Sequence, residues 1–237
     1  MIKENDLKLN TEKMIEAGLI FGHKKSKTHP KMKKYISGVK NDIHIFDIEK
    51  TSEKLKEALN FIYELVSNNK TILFVGTKIQ IKDILKDFAN EVNCPYINER
   101  WCGGTFTNFE IVRKRIEYFK NLELKKEKGE LEKYTKKEQM KLDKKIKELE
   151  KKFGGIKNLE KLPDAIFILD IKKDYTALLE AKKKGIPIIA IVDTNVNPDL
   201  VNYPIPANDD AISSIKYILD IVKEVILKAK NQQIIKE

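Results

Sequence analysis

The sequence predicts an α/β protein: an open, mainly parallel sheet with helices on both faces, carrying an inserted antiparallel helical hairpin. Three observations predict it. Short β-branched runs alternate with amphipathic helical stretches, the pattern of crossover units that lay strands parallel. The strand-like runs are continuously apolar, as strands covered on both faces are. One long stretch, Asn108 to Lys152, interrupts the alternation with no strand signal and with densely interleaved acids and bases.

The elements follow in order. Asn10-Thr11-Glu12 can cap a short helix that Gly18 stops. A basic loop, His23 to Lys34, precedes two short strand-like pieces, Tyr35–Ser37 and Ile43–Phe46. Leu55, Leu59, Ile62 and Val66 recur at helical spacing from about Ser52 to Ser67. Thr71–Val75, stopped by Gly76, reads as a buried strand. Ile81, Ile84, Leu85, Phe88 and Val92 mark another helix, and Tyr96-Ile97 a short strand.

Phe109, Val112, Ile116 and Phe119 form one apolar stripe, and Leu142, Ile146, Leu149 and Phe153 a second. Between them lie Gly129 and the capping box Thr135-x-x-Glu138. Two helices turning near Lys128-Gly129 bury both stripes against each other, in a hairpin of roughly 30 Å. After Gly154-Gly155 the alternation resumes: strand Ala165–Leu169, helix Tyr175–Lys184, strand Pro187–Val192, short strand Val201–Ile205, and a final helix Asp209–Lys230. The expected organisation is a discontinuous globular domain, 1–105 and 155–230, a coiled-coil hairpin insertion, 106–154, and a short tail, 231–237.

Charged residues make up 35% of the chain, above the roughly 25% of an average globular protein, and the net charge is +10. That balance suggests a polyanionic partner, either nucleic acid or an anionic membrane surface. No apolar run approaches a membrane span, and Met1 to Asn10 shows no targeting signal. Cys94 and Cys102 have no metal-ligand spacing and fit a reducing compartment.

The strongest local signal is electrostatic. From His23 to Lys40 there are seven lysines (Lys24, Lys25, Lys27, Lys31, Lys33, Lys34 and Lys40) and no acid. Gly22, Pro30 and Gly38 make the segment a loop, and a loop of that charge tracks phosphates by displacing counterions. His23, His29 and Tyr35 can stack on or hydrogen-bond to irregular RNA. A second cluster runs from Arg100 through Trp101, Gly103-Gly104 and Asn108 to Arg113-Lys114-Arg115. It holds all three arginines of the chain, whose planar fork grips phosphate as lysine cannot. Trp101 itself reads most simply as a packing residue.

Enzymatic chemistry finds little support. The strand ends carry Gly76-Thr77-Lys78, Asp170, Asp193-Thr194-Asn195 and Asn208-Asp209-Asp210, with no dinucleotide fingerprint and no phosphate loop. An acidic edge repels phosphate unless a metal intervenes; loop hydrogen bonding and capping explain it, with a magnesium site as the alternative. His23 and His29 have no nearby Cys, Asp or Glu to complete a zinc set. Two other function classes remain: a nucleotide-dependent enzyme built on Gly76-Thr77-Lys78, and a membrane-surface scaffold using the charged hairpin.

Those residues also resemble a known family. The run Ala17-Gly18, Phe21-Gly22-His23, Pro30-Lys31-Met32-Lys33, His44-Ile45-x-Asp47, Arg100-Trp101-x-Gly103-Gly104-Thr105-x-Thr107-Asn108, Gly154-Gly155-Ile156, Leu162-Pro163-Asp164-Ala165, Gly185-Ile186-Pro187 and Asn208 to Ala211 is similar to the ribosomal protein S-two family of the small subunit, in its bacterial or organellar form. The resemblance covers about Met14 to Val225, and the joint order of its motifs is specific. Cys102 and Phe106 stand where that family usually has an apolar residue such as leucine, Lys40 where arginine is common, and Ala207 at a usual glycine.

The resemblance implies a flavodoxin-like domain with a helical hairpin and a non-catalytic role. It implies binding to small-subunit ribosomal RNA between head and body, contact with neighbouring ribosomal proteins, and recruitment of the large mRNA-binding one. The expected RNA contacts are His23, Lys24, Lys25, Lys27, His29, Lys31, Lys33, Lys34, Lys40, Asn41, Arg100, Asn108, Arg113, Lys114 and Arg115. No metal, cofactor, small-molecule substrate or membrane is expected. The setting is the ribosome of a bacterial cytoplasm, or of an organelle that encodes its own copy.

Overall fold

The computed structural model describes residues 9–234. The parts of the N-terminal segment and of the 231–237 tail at 1–8 and 235–237 lie outside the described residues. In chain order the elements are α1 (Thr11–Glu16), β1 (Phe21–Lys24), β2 (Ile36–Lys40), β3 (Ile43–Phe46), α2 (Ile48–Ser67), β4 (Ile72–Val75), α3 (Lys82–Glu91), β5 (Tyr96–Ile97), α4 (Phe109–Glu127), α5 (Lys136–Phe153), β6 (Ala165–Ile168), α6 (Tyr175–Lys184), β7 (Ile188–Val192), β8 (Tyr203–Pro206) and α7 (Ile212–Ile234).

Five strands form an all-parallel sheet in the order β5-β4-β6-β7-β8. Counted along the chain within this sheet, that is 2-1-3-4-5, the flavodoxin-like order, with its switch point between β4 and β6. Alternation along the strands sends side chains into two apolar layers. Phe74, Phe167, Ile189, Ile191 and Ile205 join α2, α3 and α7 on one face. Leu73, Val75, Ile166, Ile168, Ala190 and Val192 join α4, α5 and α6 on the other. Helices therefore cover both faces, as the continuous apolar strands require.

The α4–α5 pair turns at Gly129, whose φ of +70° is left-handed, and Thr135 with Glu138 forms the capping box. Val112, Ile116, Phe119, Ile146 and Phe153 are buried and continuous with the sheet's second apolar layer. Leu142 and Leu149 pack against the same layer half-buried.

Several elements differ from expectation. The segment His23 to Lys34 is not an open loop: it runs from the end of β1 through two 3-10 segments, Lys25–Lys27 and Pro30–Tyr35. A distant residue orders it, since Thr194 accepts the His23 N–H on Oγ1 at 2.9 Å and the His29 N–H on its carbonyl at 2.7 Å. The two short strands do not join the main sheet. With β1 they form a separate antiparallel sheet, β1-β3-β2, and Asn41-Asp42 supplies its two-residue hairpin turn with both φ positive.

Helix α2 starts at Ile48 because Asp47 caps it, accepting the N–H groups of Glu49 and Lys50. Helix α7 starts at Ile212, because Asn208 accepts the N–H groups of Asp210 and Ala211 and holds them in a turn. It continues to Ile234, since no glycine or proline stops it at Lys230.

Candidate nucleic-acid interface

Strand β1, the two 3-10 segments after it and the β2–β3 hairpin carry the basic segment. Lys24, Lys25, Lys27, Lys31, Lys33, Lys34, Lys40 and Asn41 are all exposed, while Met32 and Tyr35 turn inward and anchor the turns in the second apolar layer. Lys31 and Lys34 pair with Asp199, at 2.7 Å and 3.6 Å. Lys24, Lys25, Lys27, Lys33 and Lys40 make no ion pair among the described residues. His29, half-buried, accepts the Lys31 N–H on Nδ1 and fixes the start of the second turn.

His23 faces the other way. Its Nδ1 lies 3.1 Å from Asp193 Oδ1, and its Nε2 lies 3.4 Å from Asp210 Oδ2 and 3.0 Å from Asn195 Nδ2. The hydrogen bond with Asp193 raises its pKa, burial works against the rise, and Asp209 and Asp210 add to it. His23 does not lack acidic neighbours, as the local sequence suggested. The sheet order brings β7 and β8, with their terminal aspartates, beside β1 from about 170 residues away. The ligand atoms of His23, Asp193 and Asp210 lie within 4.8 Å of one another, a set able to hold a divalent cation.

The rest of the strand-end cluster is internally committed. Lys78 Nζ lies 2.7 Å from Asp210, 3.0 Å from Asp170 and 3.7 Å from Asp209. Burial opposes the Lys78 ammonium, but these carboxylates outweigh it and raise its pKa. Asp209, 3% exposed, is pushed up to about 8 by burial and by the charges of Asp193 and Asp170. At the switch point, Thr77 donates its N–H and its hydroxyl to buried Asp174, at 3.1 Å and 2.7 Å. Gly76-Thr77-Lys78 therefore offers nothing to a nucleotide phosphate: Thr77 is satisfied and Lys78 is surrounded by acids.

The arginine cluster sits at the loop after β5 and on the first turns of α4. Arg100, Asn108, Lys114 and Arg115 are exposed, and Arg100, Lys114 and Arg115 make no ion pair among the described residues. Arg113 pairs with Glu110 at 3.1 Å and Glu117 at 3.8 Å, so its charge is largely answered. Trp101 is buried edge-on against Phe106, as a packing residue should be.

One residue at this loop was missed in the sequence. Glu180 of α6, 7% exposed, accepts hydrogen bonds from the Trp101 indole and from the backbone N–H groups of Gly104, Phe106 and Thr107. A glutamate in Tyr175–Lys184 reads as a solvated position. The available signal was its place three residues after Ala177 and one before Ala181, on the buried side of α6.

No helix among the described residues is long and apolar enough to cross a membrane. The family model for Ribosomal protein S2 matches residues 14–229. The chain is similar to the small ribosomal subunit protein uS2 of Dehalococcoides mccartyi (strain BAV1), 44% identical over 222 residues, covering 94% of this chain and 91% of that one. It is 46% identical over 220 residues to uS2 of Dictyoglomus thermophilum, covering 93% and 89%. With uS2 of Coprothermobacter proteolyticus it shares 42% over 219 residues, covering 92% and 82%. Flavodoxin-like strand order, a switch point closed by Thr77 and Asp174, and a family match across residues 14–229 make this chain a member of the ribosomal protein S2 family, a structural protein and not an enzyme.

Proposed function

We propose that this structural protein of the small ribosomal subunit seats on the subunit's RNA through the lysine-bearing surface of its small sheet and the 3-10 segments between β1 and β2. The observation that carries the reading is the set Lys24, Lys25, Lys27, Lys33 and Lys40, exposed and in no ion pair among the described residues. Each such lysine displaces a condensed counterion when it meets a phosphate, which gives affinity that falls with salt. Lys31, Lys34 and Asn41 extend the set, and His29 shapes it. Arg100, Asn108, Arg113, Lys114 and Arg115 form the second contact. His23 supports the first from inside, through Asp193.

The resemblance adds a place between head and body and a part in recruiting the large mRNA-binding ribosomal protein. Residues 106–154 act in this reading as a separate hairpin insertion on the domain of 1–105 and 155–230. The bacterial sources of its relatives favour a bacterial cytoplasm. Sucrose-gradient sedimentation tests the reading: the tagged chain co-migrates with small subunits at moderate salt, and migration at the top of the gradient refutes it.

A further inference from the structure

The loop between β5 and α4 is held by one carboxylate. Glu180 Oε1 accepts the Trp101 indole N–H at 3.1 Å and the Gly104 N–H at 2.7 Å. Its Oε2 accepts the N–H groups of Phe106 at 2.9 Å and Thr107 at 3.1 Å, and the Thr107 hydroxyl at 3.3 Å. Five donors converge on a side chain only 7% exposed. Burial pushes the Glu180 carboxyl up, yet these donors outweigh it and hold it below the ordinary glutamate range. Gly104, at φ +91°, permits the bend that points the N–H groups inward.

With its donors turned inward, the loop shows solvent Arg100, Gly103 and Asn108. A Cβ on Gly103 would meet nothing within 4 Å, so a bulky partner can approach the backbone there. Beside the loop runs a groove of about 460 Å³, lined by Arg100, Lys173, Asp174, Trp101, Lys82 and Glu99 among others. Lys82 and Glu99 neutralise each other at 2.6 Å. Arg100 makes no ion pair among the described residues and Lys173 is answered in part by the buried Asp174 beside it, so Lys82, Arg100 and Lys173 against Glu99 and Asp174 leave the groove a surplus of one positive charge.

We propose that the Arg100–Asn108 loop is a preformed contact for an RNA phosphate backbone, and that Glu180 is the positioning residue that keeps it in shape. This rests on the RNA-binding reading above. Arg100 supplies a fork that can hold two phosphate oxygens, and Lys173 supplies a point charge in the same groove. Because Glu180 fixes the backbone beforehand, binding does not have to order the loop, and the complex keeps affinity that a free loop would lose.

The test uses the full chain and small-subunit ribosomal RNA, with affinity measured across a salt series. Arg100→Ala weakens binding about 3- to 10-fold and lowers the salt slope by about 1. Glu180→Gln, which sets an amide NH2 against N–H donors, does the same without touching RNA. Amide exchange in Glu180→Gln rises at least tenfold at Gly104, Phe106 and Thr107 and stays unchanged in β4, β6 and β7. The double variant is no weaker than Arg100→Ala alone, because the two act through one contact.

If Glu180→Gln fails to fold, Trp101→Phe, which removes one donor, decides instead with a smaller loss in the same direction. Additive losses, or normal binding by a Glu180→Gln protein with a loosened loop, overturn the positioning role. Normal RNA binding by Arg100→Ala overturns the contact, and leaves the lysine face untouched if Lys24, Lys25 and Lys33 variants still weaken binding. Arg100→Ala that binds RNA normally but leaves whole subunits assigns the loop to a protein neighbour and equally overturns the proposal.

Discussion

His23 Nδ1 lies 3.1 Å from Asp193 Oδ1, joining the small sheet to the end of β7. The neighbouring backbone makes this approach close: a Cβ on Gly22 would lie 2.5 Å from Thr194 Cγ2 and 3.0 Å from its Oγ1. Thr194 is the residue that holds the basic segment at His23 and at His29. Gly22→Ala therefore displaces Thr194 and costs about 1–3 kcal/mol, with exchange protection lost first in β1 and β3. Urea unfolding and amide exchange check it; an unchanged midpoint contradicts the close approach.

Asp199 answers Lys31 and Lys34 on the face assigned to RNA. Asp199→Asn frees both lysines. The salt slope of RNA binding should steepen by up to about 2, and affinity should rise at low salt. Filter binding across a salt series measures it, and a slope equal to wild type means these two lysines do not meet phosphate.

Asp174 sits at the switch point, 2% exposed, with its carboxyl pushed up to about 6 by burial against the pull of the Thr77 donors. Folding thus favours its protonated form relative to the unfolded value of 3.8. Its contribution to stability is complete below about pH 4 and is lost as pH rises through about 6, by roughly 3 kcal/mol in all. Relative to Asp174→Asn, the native protein should lose about that much between pH 4 and pH 7. Urea midpoints of both proteins along that range decide it, and parallel curves refute it.

Gly155 packs its α-carbon against the Tyr96 carbonyl so closely that any Cβ would collide with backbone. That contact seats the end of α5 on the edge strand β5. Gly155→Ala should cost roughly 2–4 kcal/mol, because a backbone cannot rotate away as a side chain can. Thermal unfolding measures the loss, and a shift under about 2 °C contradicts it.

The main sheet was legible because its strands are apolar throughout. Every residue of β4, β6 and β7 is buried, and such runs between amphipathic helices have few other readings. The break between α4 and α5 was legible from local chemistry, Gly129 and the Thr135–Glu138 box. The small sheet was not, because β2 has four exposed residues of five and its order depends on Thr194, far along the chain.

The candidate site divides the same way. Lysine density announced the exposed face, but not that Asp199 would answer two of its members. His23 read as a surface residue, since its acidic neighbours are contiguous with it only in space. Glu180 carried almost no signal, because a buried carboxylate and a solvated one look alike until their donors are placed.

The most direct test of the RNA-binding face is the salt dependence of binding to small-subunit RNA by Lys24→Gln, Lys25→Gln and Lys33→Gln combined. These three side chains are exposed and unpaired among the described residues, so their loss should leave the fold intact. Native thermal stability is expected, with a slope of log affinity against log salt shallower by about 2–3. A slope equal to that of the unaltered chain would contradict it.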